Sequence, residues 1–551
     1  MSRTRTAARE AFHLVRELDH VVTPETFRAA FPERAASSFV LAGGAAAPSA
    51  RLDRVAYFGA APSATFRARR VADRDALGRR LTTVDVDRAG DERDPGDERS
   101  PGDEHGPGAR ETLAAVDPFA ALADFLADNA LPETAFDARY PFPFRGGLVG
   151  YVGYECGQAL EALPGEARPS TPMPDMAFAL HRWILATGRA PERSWLSVIG
   201  VGASRDDARD DAEARCARVL RRLDEGASRP QHAPPHAATP DGVAAPHASA
   251  GAAGPHGSPD AGRDRLASAS RINATLSAAE YVERVARAKR HIEAGDAFEI
   301  CLTNALGAPL ARRHAWTLFD ELRRSNPAPF AALLDLPEGA VVSSSPERFL
   351  SLDARGIAES RPIKGTRPRG ATPAEDARLA RELAASEKDR AENAMIVDLV
   401  RNDLGRVCRF GTVEAPEVFA VEPYATVHQL VSTVRGELDA GTGAIDLLRA
   451  CFPPGSMTGA PKIEAMRILE QLEPVERGVY SGALGWIDLG GAMDLSVVIR
   501  TVVLDDAGAR FSVGGAIVAD SDPHDEHEET EHKAFALVRA LAAISATEPP
   551  A

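Results

Sequence analysis

Apolar residues recur every three to four positions across residues 117–131, 277–294, 374–404, 461–472 and 528–544, and this period predicts amphipathic helices there. Asp117-Pro118 is a helix-start signal, a capping side chain ahead of a proline that needs no hydrogen bond. Runs rich in β-branched and aromatic residues predict strands at 298–303, 340–344, 478–487, 494–504 and 510–518. Strands of this number mixed with helices predict an α/β or α+β sandwich with much antiparallel sheet, and the fold class expected is α+β, antiparallel sheets with helices packed outside. Pro143 to Tyr151 is dense in glycine beside aromatic and β-branched residues, as expected of strands packed close to another backbone.

Two stretches break the pattern. Between Gly90 and Pro107 an acidic hexapeptide recurs, as Gly-Asp-Glu-Arg-Asp-Pro, Gly-Asp-Glu-Arg-Ser-Pro and Gly-Asp-Glu-His-Gly-Pro, with almost nothing to bury. A disordered surface insertion is expected over about residues 88–110. Residues 225–270 are rich in Ala, Pro, Gly and His, the composition of a linker; the scattered His232, His236, His247 and His256 lack metal-site spacing. The expected organisation is therefore an N-terminal domain at 1–224, a linker at 225–270 and a second domain at 271–548.

Composition narrows the class. An apolar content of 44% and a charged content of 26% are those of a globular chain, and no apolar run is long enough to span a bilayer. The N-terminus carries Glu10, His13, Arg16 and Glu17 where a secretory signal would be apolar, so a cytoplasmic location is expected. The net charge of -16 argues against nucleic acid as a partner. Five widely spaced cysteines, never in a C-x-x-C pair, predict a reducing compartment with neither a zinc site nor a disulfide frame.

Candidate chemistry begins at Pro362-Ile363-Lys364-Gly365-Thr366-Arg367, a Gly/Pro-punctuated cationic segment without helical or strand periodicity. Lys364 is a candidate nucleophile if desolvation or the neighbouring Arg361, Arg367 and Arg369 lower its pKa. Glu347, after a strand-like run, is a candidate general acid or an ion-pair partner of Arg348 or Arg361. Asp389 with Glu392, and Glu526 with Glu529, each lie three residues apart and so share one helix face. Such faces either meet water or hold a cation, and carboxylates without His or Cys favour a hard ion such as Mg²⁺. Arg500 sits in an apolar run where an unpaired guanidinium is costly, so a carboxylate partner is expected, either a structural Glu or a substrate. The small-residue turn Gly455-Ser456-Met457-Thr458-Gly459-Ala460-Pro461-Lys462 feeds a helix and offers an anion site, but lacks the phosphate-loop spacing.

These motifs occur together, in order, in the chorismate-utilising enzymes, which the chain resembles from Ser277 to Leu541. The carriers are Gly295-Asp296-Ala297-Phe298-Glu299, Ser345-Pro346-Glu347-Arg348, residues 361–370, residues 392–403, His428-Gln429-Leu430-Val431-Ser432, residues 455–462, Tyr480-Ser481-Gly482-Ala483, Ile499-Arg500-Thr501 and residues 518–523. Pro143 to Tyr151 resembles the family's motif in the first part of the chain. The resemblance implies a fold like that of anthranilate synthase component I. Within the family, members that aminate the ring at C2 typically carry alanine where this chain has Lys364, and members that aminate at C4 typically carry lysine. Isochorismate-forming members use a lysine base where this chain has Glu299.

The resemblance thus implies conversion of chorismate and ammonia to 4-amino-4-deoxychorismate, on the way to 4-aminobenzoate and folate. Lys364 would attack C2 and expel the C4 hydroxyl, Glu347 would protonate that hydroxyl, and ammonia would then displace Lys364. Glu392 and Glu529 match the family's Mg²⁺ ligands, with Asp389 and Glu526 assisting through waters. Arg500 and Tyr480 match the residues that hold the enolpyruvyl carboxylate, while His428, Ser456, Thr458, Thr366 and the Gly514-Gly515 backbone match the substrate pocket. Two positions depart from the pattern: Ala516 stands where many relatives have a third glycine, and Glu299 replaces the usual glutamine. The sequence has no nucleophile-elbow cysteine followed by the His and Glu of a glutaminase, so ammonia is expected from a separate glutamine amidotransferase subunit. Anthranilate formation, an amino-isochorismate product and a catalytically silent chorismate-binding partner of an amidotransferase stay open as alternatives.

Overall fold

The computed structural model describes residues 10–32, 37–43, 55–89, 110–164, 168, 172–189, 192–228 and 272–545. The acidic hexapeptides and most of the linker lie outside the described residues. Two twelve-stranded sheets dominate, and every strand pairing described is antiparallel. The first runs from Glu10–Glu17 through Glu192–Gly202, Trp183–Arg189, Val55–Gly59, Ser38–Ala42, Phe330–Leu336, Gly339–Ser345, Thr501–Asp505 and Gly508–Ile517 to Glu299–Ala308 and Asn273–Ala274. The second runs from Ile363–Pro368 through Val427–Glu437, Ile357–Arg361, Arg348–Leu352, Met493–Val497 and Ala483–Asp488 to Gly147–Val152, Met176–His181, Ala64–Arg74, Arg80–Arg88 and Arg110–Val116. Residues on either side of the linker contribute to both sheets. The seams are Ser38–Ala42 against Phe330–Leu336, and Gly147–Val152 against Ala483–Asp488.

Strand alternation sends one face of each sheet toward the other and the opposite face toward helices. Phe39, Tyr57, Ile184, Leu334 and Val341 of the first sheet meet Val149, Tyr151, Leu484 and Trp486 of the second in a shared core. The outer face of the first sheet packs on helices Pro24–Ala30, Arg205–Ser228, Ala315–Ser325 and Pro523–Ser545. That of the second packs on Pro118–Ala127, Glu387–Gly405 and Ala444–Cys451. The architecture is the expected α+β sandwich with helices outside. All five cysteines are free and buried. Among the described residues no helix is long and apolar enough to cross a membrane.

Local signals in the sequence account for several element ends. Asp117 caps Pro118–Ala127 by accepting from the N–H groups of Phe119 and Ala120. Ser277 and Glu280 form a reciprocal capping box at the start of Ala278–Ala294, and Gly295 closes it at φ +85°, where a side chain would be strained. Each such cap contributes about 1 kcal/mol.

Three elements depart from expectation. The helix expected over 374–404 is two helices, Pro373–Ala385 and Glu387–Gly405, because extended Ser386 ends the first and caps the second by accepting from the Asp389 N–H. The strand expected over 494–504 is broken between Val497 and Thr501, where Arg500 has φ +49°. The segment around Lys364 is a strand, Ile363–Pro368, whose periodicity is hidden by a bulge.

Candidate active site

The bulge aims the lysine. Ile363 pairs with Val431 and Thr366 with Gln429, so Lys364 and Gly365 together face the single position Leu430. Gly365 has φ +92°, and a Cβ there would sit 2.9 Å from atoms of the Asp389 side chain. Only glycine fits that conformation and that approach. Lys364 emerges with a side chain only 11% exposed, and its Nζ donates to Glu299 Oε1 at 2.6 Å. Glu299 opens the strand Glu299–Ala308, is completely buried, and keeps Oε2 without a partner.

This arrangement corrects the expected electrostatics. Arg361 is paired with Glu422, Arg367 with Asp389 and Arg369 with Asp376, so their charges are already neutralised locally. Burial by itself would lower the Lys364 pKa, but the Glu299 carboxylate outweighs it and holds the ammonium above the usual lysine range. Nothing in the local sequence marks the pairing, since the two residues lie 65 positions apart.

Glu347 occupies the turn between Gly339–Ser345 and Arg348–Leu352. Arg348 pairs with Asp494 and Glu359, and Arg361 with Glu422. Ser456, in the turn Gly455–Met457, donates to Glu347 Oε1 at 3.0 Å. Burial pushes the Glu347 carboxyl up to about 7, against the Ser456 hydrogen bond and the nearby Lys364 charge. A carboxyl that keeps its proton near neutrality suits a general acid.

Arg500 has no carboxylate partner among the described residues, and burial lowers its pKa. The residue is half-buried, and its backbone at positive φ is strained. Tyr480 is buried, and the next residue, Ser481, donates its N–H to Val498 O, two positions before Arg500. Tyr480 lines a cavity of about 340 Å³ together with Thr501 and Ser512.

The remaining pocket candidates are distributed unevenly. Thr458 is fully buried, but its hydroxyl donates within the turn to Gly455 O. His428 is tied to Asp376 through Nε2 at 2.9 Å and leaves Nδ1 buried without a partner. Thr366 presents an exposed side chain. Gly514 and Gly515 lie opposite Thr303 and Leu302, and a Cβ at Gly514 would meet Leu302 O at 2.4 Å, so packing alone requires that glycine. At Gly515 the same space opens onto Glu526 Oε2 at 2.8 Å.

The two acidic pairs sit on the helices Glu387–Gly405 and Pro523–Ser545. Glu526 accepts from Ser521 through Oε1 and keeps Oε2 buried and unpartnered; burial and Glu529 raise its pKa. Glu529 pairs with Lys533 at 2.6 Å, and that ammonium outweighs burial to hold its pKa low. Burial raises Glu392, while Lys364 and Lys388 oppose the shift. Asp389 is engaged by Arg367. Lys388 lies 3.9 Å from Glu392, and its charge also acts on Glu526 and Glu529. Among the described residues no three of these carboxylates converge into a closed ligand cage. A donor set of separate carboxylates, one with an orphaned buried oxygen, fits a Mg²⁺ ion that keeps waters and meets an anionic ligand.

Comparison with known proteins follows the same lines. The chorismate binding enzyme family matches residues 95–539. The chain is 45% identical over 423 residues to an aminodeoxychorismate synthase of Streptomyces pristinaespiralis, covering 77% of this chain and 54% of that protein. It is 41% identical over 428 residues to anthranilate synthase component 1 of Streptomyces coelicolor, covering 77% of each. It spans about half the length of the two Streptomyces aminodeoxychorismate synthases it matches. The crystal structure of anthranilate synthase component I from Streptococcus pneumoniae superposes with a TM-score of 0.65 at 25% identity, covering 89% of this chain and 93% of that one.

Proposed function

This chain belongs to the chorismate binding enzyme family, and from that premise we propose that it converts chorismate and ammonia to 4-amino-4-deoxychorismate through a covalent intermediate on Lys364. The observation that carries the proposal is the buried Lys364 Nζ, delivered by a glycine bulge beside a carboxyl that stays protonated near neutrality.

Lys364 must lose a proton before it attacks, and Glu299, 2.6 Å away, is placed to accept it. Nζ then bonds to ring C2, the ring double bonds shift, and the C4–O bond breaks as Glu347 gives its proton to the departing hydroxyl, which leaves as water. Ammonia attacks C4, the double bonds shift back, and the C2–N bond breaks to release Lys364. The amine recovers its proton from Glu299, and Glu347 is reprotonated from the new C4 ammonium. Two allylic displacements thus replace one difficult substitution. The unpaired Arg500, with Tyr480, receives the enolpyruvyl carboxylate, which completes the partner the guanidinium lacks. Glu392 and Glu529, with Asp389 and Glu526 through waters, would hold a Mg²⁺ ion, whose charge supplies electrostatic stabilisation to the ring carboxylate. Ammonia comes from a separate glutamine amidotransferase subunit, and the product serves 4-aminobenzoate and folate synthesis in the cytoplasm.

A second reading, anthranilate formation, is favoured by the Streptomyces coelicolor relative. Lys364 speaks against it, because amination at C2 needs no enzyme-bound nucleophile at that carbon. The test is incubation with chorismate and Mg²⁺, with and without ammonium salt. An adduct on Lys364 by mass spectrometry without ammonia, and a non-fluorescent aminated product with it, are expected. Fluorescent anthranilate appearing without any lyase overturns the assignment.

A further inference from the structure

Arg477 touches neither Lys364 nor the acidic pairs, yet its guanidinium joins three of the segments that carry the candidate site. Its side chain is 1% exposed, and all five of its N–H donors are used. Nη1 donates to Met457 O at 2.6 Å and to Ser481 Oγ at 3.3 Å. Nη2 donates to Cys301 O at 2.7 Å and to Glu473 Oε1 at 2.7 Å, and Nε to Glu473 Oε2 at 2.9 Å. Glu473 in turn accepts from the N–H and the hydroxyl of Thr303.

The three contacts other than those to Glu473 are each one or two residues from a group placed in the chemistry. Met457 lies between Ser456 and Thr458, Cys301 is two positions from Glu299, and Ser481 follows Tyr480. Ser481 is itself held at φ +64°, a conformation costly for serine, by its N–H bond to Val498 O and by Arg477. The far side of this hub belongs to the first part of the chain. Glu155, buried in the short turn Tyr154–Ala159, accepts from the backbone N–H groups of Arg477 at 2.8 Å and Gly478 at 2.9 Å, and the Tyr154 ring lies 4.3 Å from the guanidinium.

A buried ion pair contributes little to stability compared with well-packed apolar side chains of similar size. A planar fork with five fixed donors does something such side chains cannot, which is to set the relative placement of separate backbone segments. We infer that Arg477, clamped by Glu473 and by Glu155 from the N-terminal part, is the positioning residue that fixes Tyr480 and the Ser456 turn relative to the strand bearing Glu299. The inference rests on the reaction proposed above.

The test uses the full chain with chorismate, Mg²⁺ and saturating ammonium salt, with kcat normalised to folded protein by near-UV circular dichroism. Arg477→Lys keeps the charge but not the fork, and is expected to lower kcat about 100-fold with the chorismate KM changed less than about 3-fold, the signature of misplaced reacting groups. Glu155→Gln, which can accept from only one of the two N–H groups, is expected to lower kcat about 10-fold. Ser481→Ala, the mildest change, is expected to lower it about 3-fold and decides the matter if Arg477→Lys does not fold. Unchanged kcat per folded molecule in the variants, with only the melting temperature reduced, overturns the positioning role while leaving the reaction intact. A wild-type protein that makes no aminated product overturns the reaction, and this inference with it.

Discussion

Two cations of the candidate site, Lys364 and Arg500, are built in opposite ways. Lys364 is fully compensated, with Glu299 at 2.6 Å. Arg500 is half-buried, has no carboxylate partner among the described residues and sits on strained backbone. In the proposed reaction Lys364 passes its proton to that partner, although the same carboxylate favours the ammonium at rest. An uncompensated guanidinium cannot change charge at all, and lowers its energy only when an anion arrives. The first cation is suited to chemistry and the second to recognition.

The largest break in this comparison is Lys364→Ala, expected to lower product formation by about 10³-fold or more while chorismate still binds, measured by steady-state rates and by calorimetric titration. Retention of activity removes the covalent role.

Glu347→Gln is expected to cost about 300-fold in kcat. In the unaltered protein, activity falls as pH rises through about 7, because Glu347 must carry its proton to act. The same shift appears in stability. The unfolded carboxyl titrates near 4.5 and the folded one near 7, so between these values the native state binds more protons and stability declines as pH rises. Urea titrations of Glu347→Gln should lack that decline.

Stability separates the two cations directly. Glu299→Leu strands a buried ammonium and is expected to destabilise the fold by about 3 kcal/mol. Arg500→Leu is expected to leave the melting temperature unchanged or higher, while raising the chorismate KM about 10-fold or more. Equal losses in both would erase the distinction. The smallest effect is expected from Ser456→Ala, which removes a hydrogen bond that favours the charged form of Glu347 and moves the alkaline limb of the rate profile upward by less than about one pH unit.

Much of the fold was legible because its signals are local. Ser277, Glu280 and Gly295 bound a helix by side-chain and backbone chemistry within a few residues, and Asp117 does the same. Ser386 is a capping residue inside a helical period, a competition that periodicity alone does not resolve. The candidate nucleophile and acid were named from short motifs, but the charges around them were not legible there. The arginines flanking Lys364 in sequence are bound to Glu422, Asp389 and Asp376, and the charge that governs the lysine arrives from another sheet. Arg477 lay unmarked for the same reason, since its partners at 155, 301, 457 and 481 converge only in three dimensions.

The two seams where residues before the linker pair with residues after it set an order of events during synthesis. The strands Ser38–Ala42 and Gly147–Val152 leave the ribosome with one edge open, and their partners at Phe330–Leu336 and Ala483–Asp488 are made hundreds of residues later. Until then the nascent chain presents unpaired strand edges flanked by apolar side chains such as Phe39 and Tyr151, the combination that invites pairing with the wrong chain. A translation pause within the linker would therefore lengthen exposure to aggregation, and chaperone demand should track the time taken to reach residue 488 rather than the time to complete the first 224 residues.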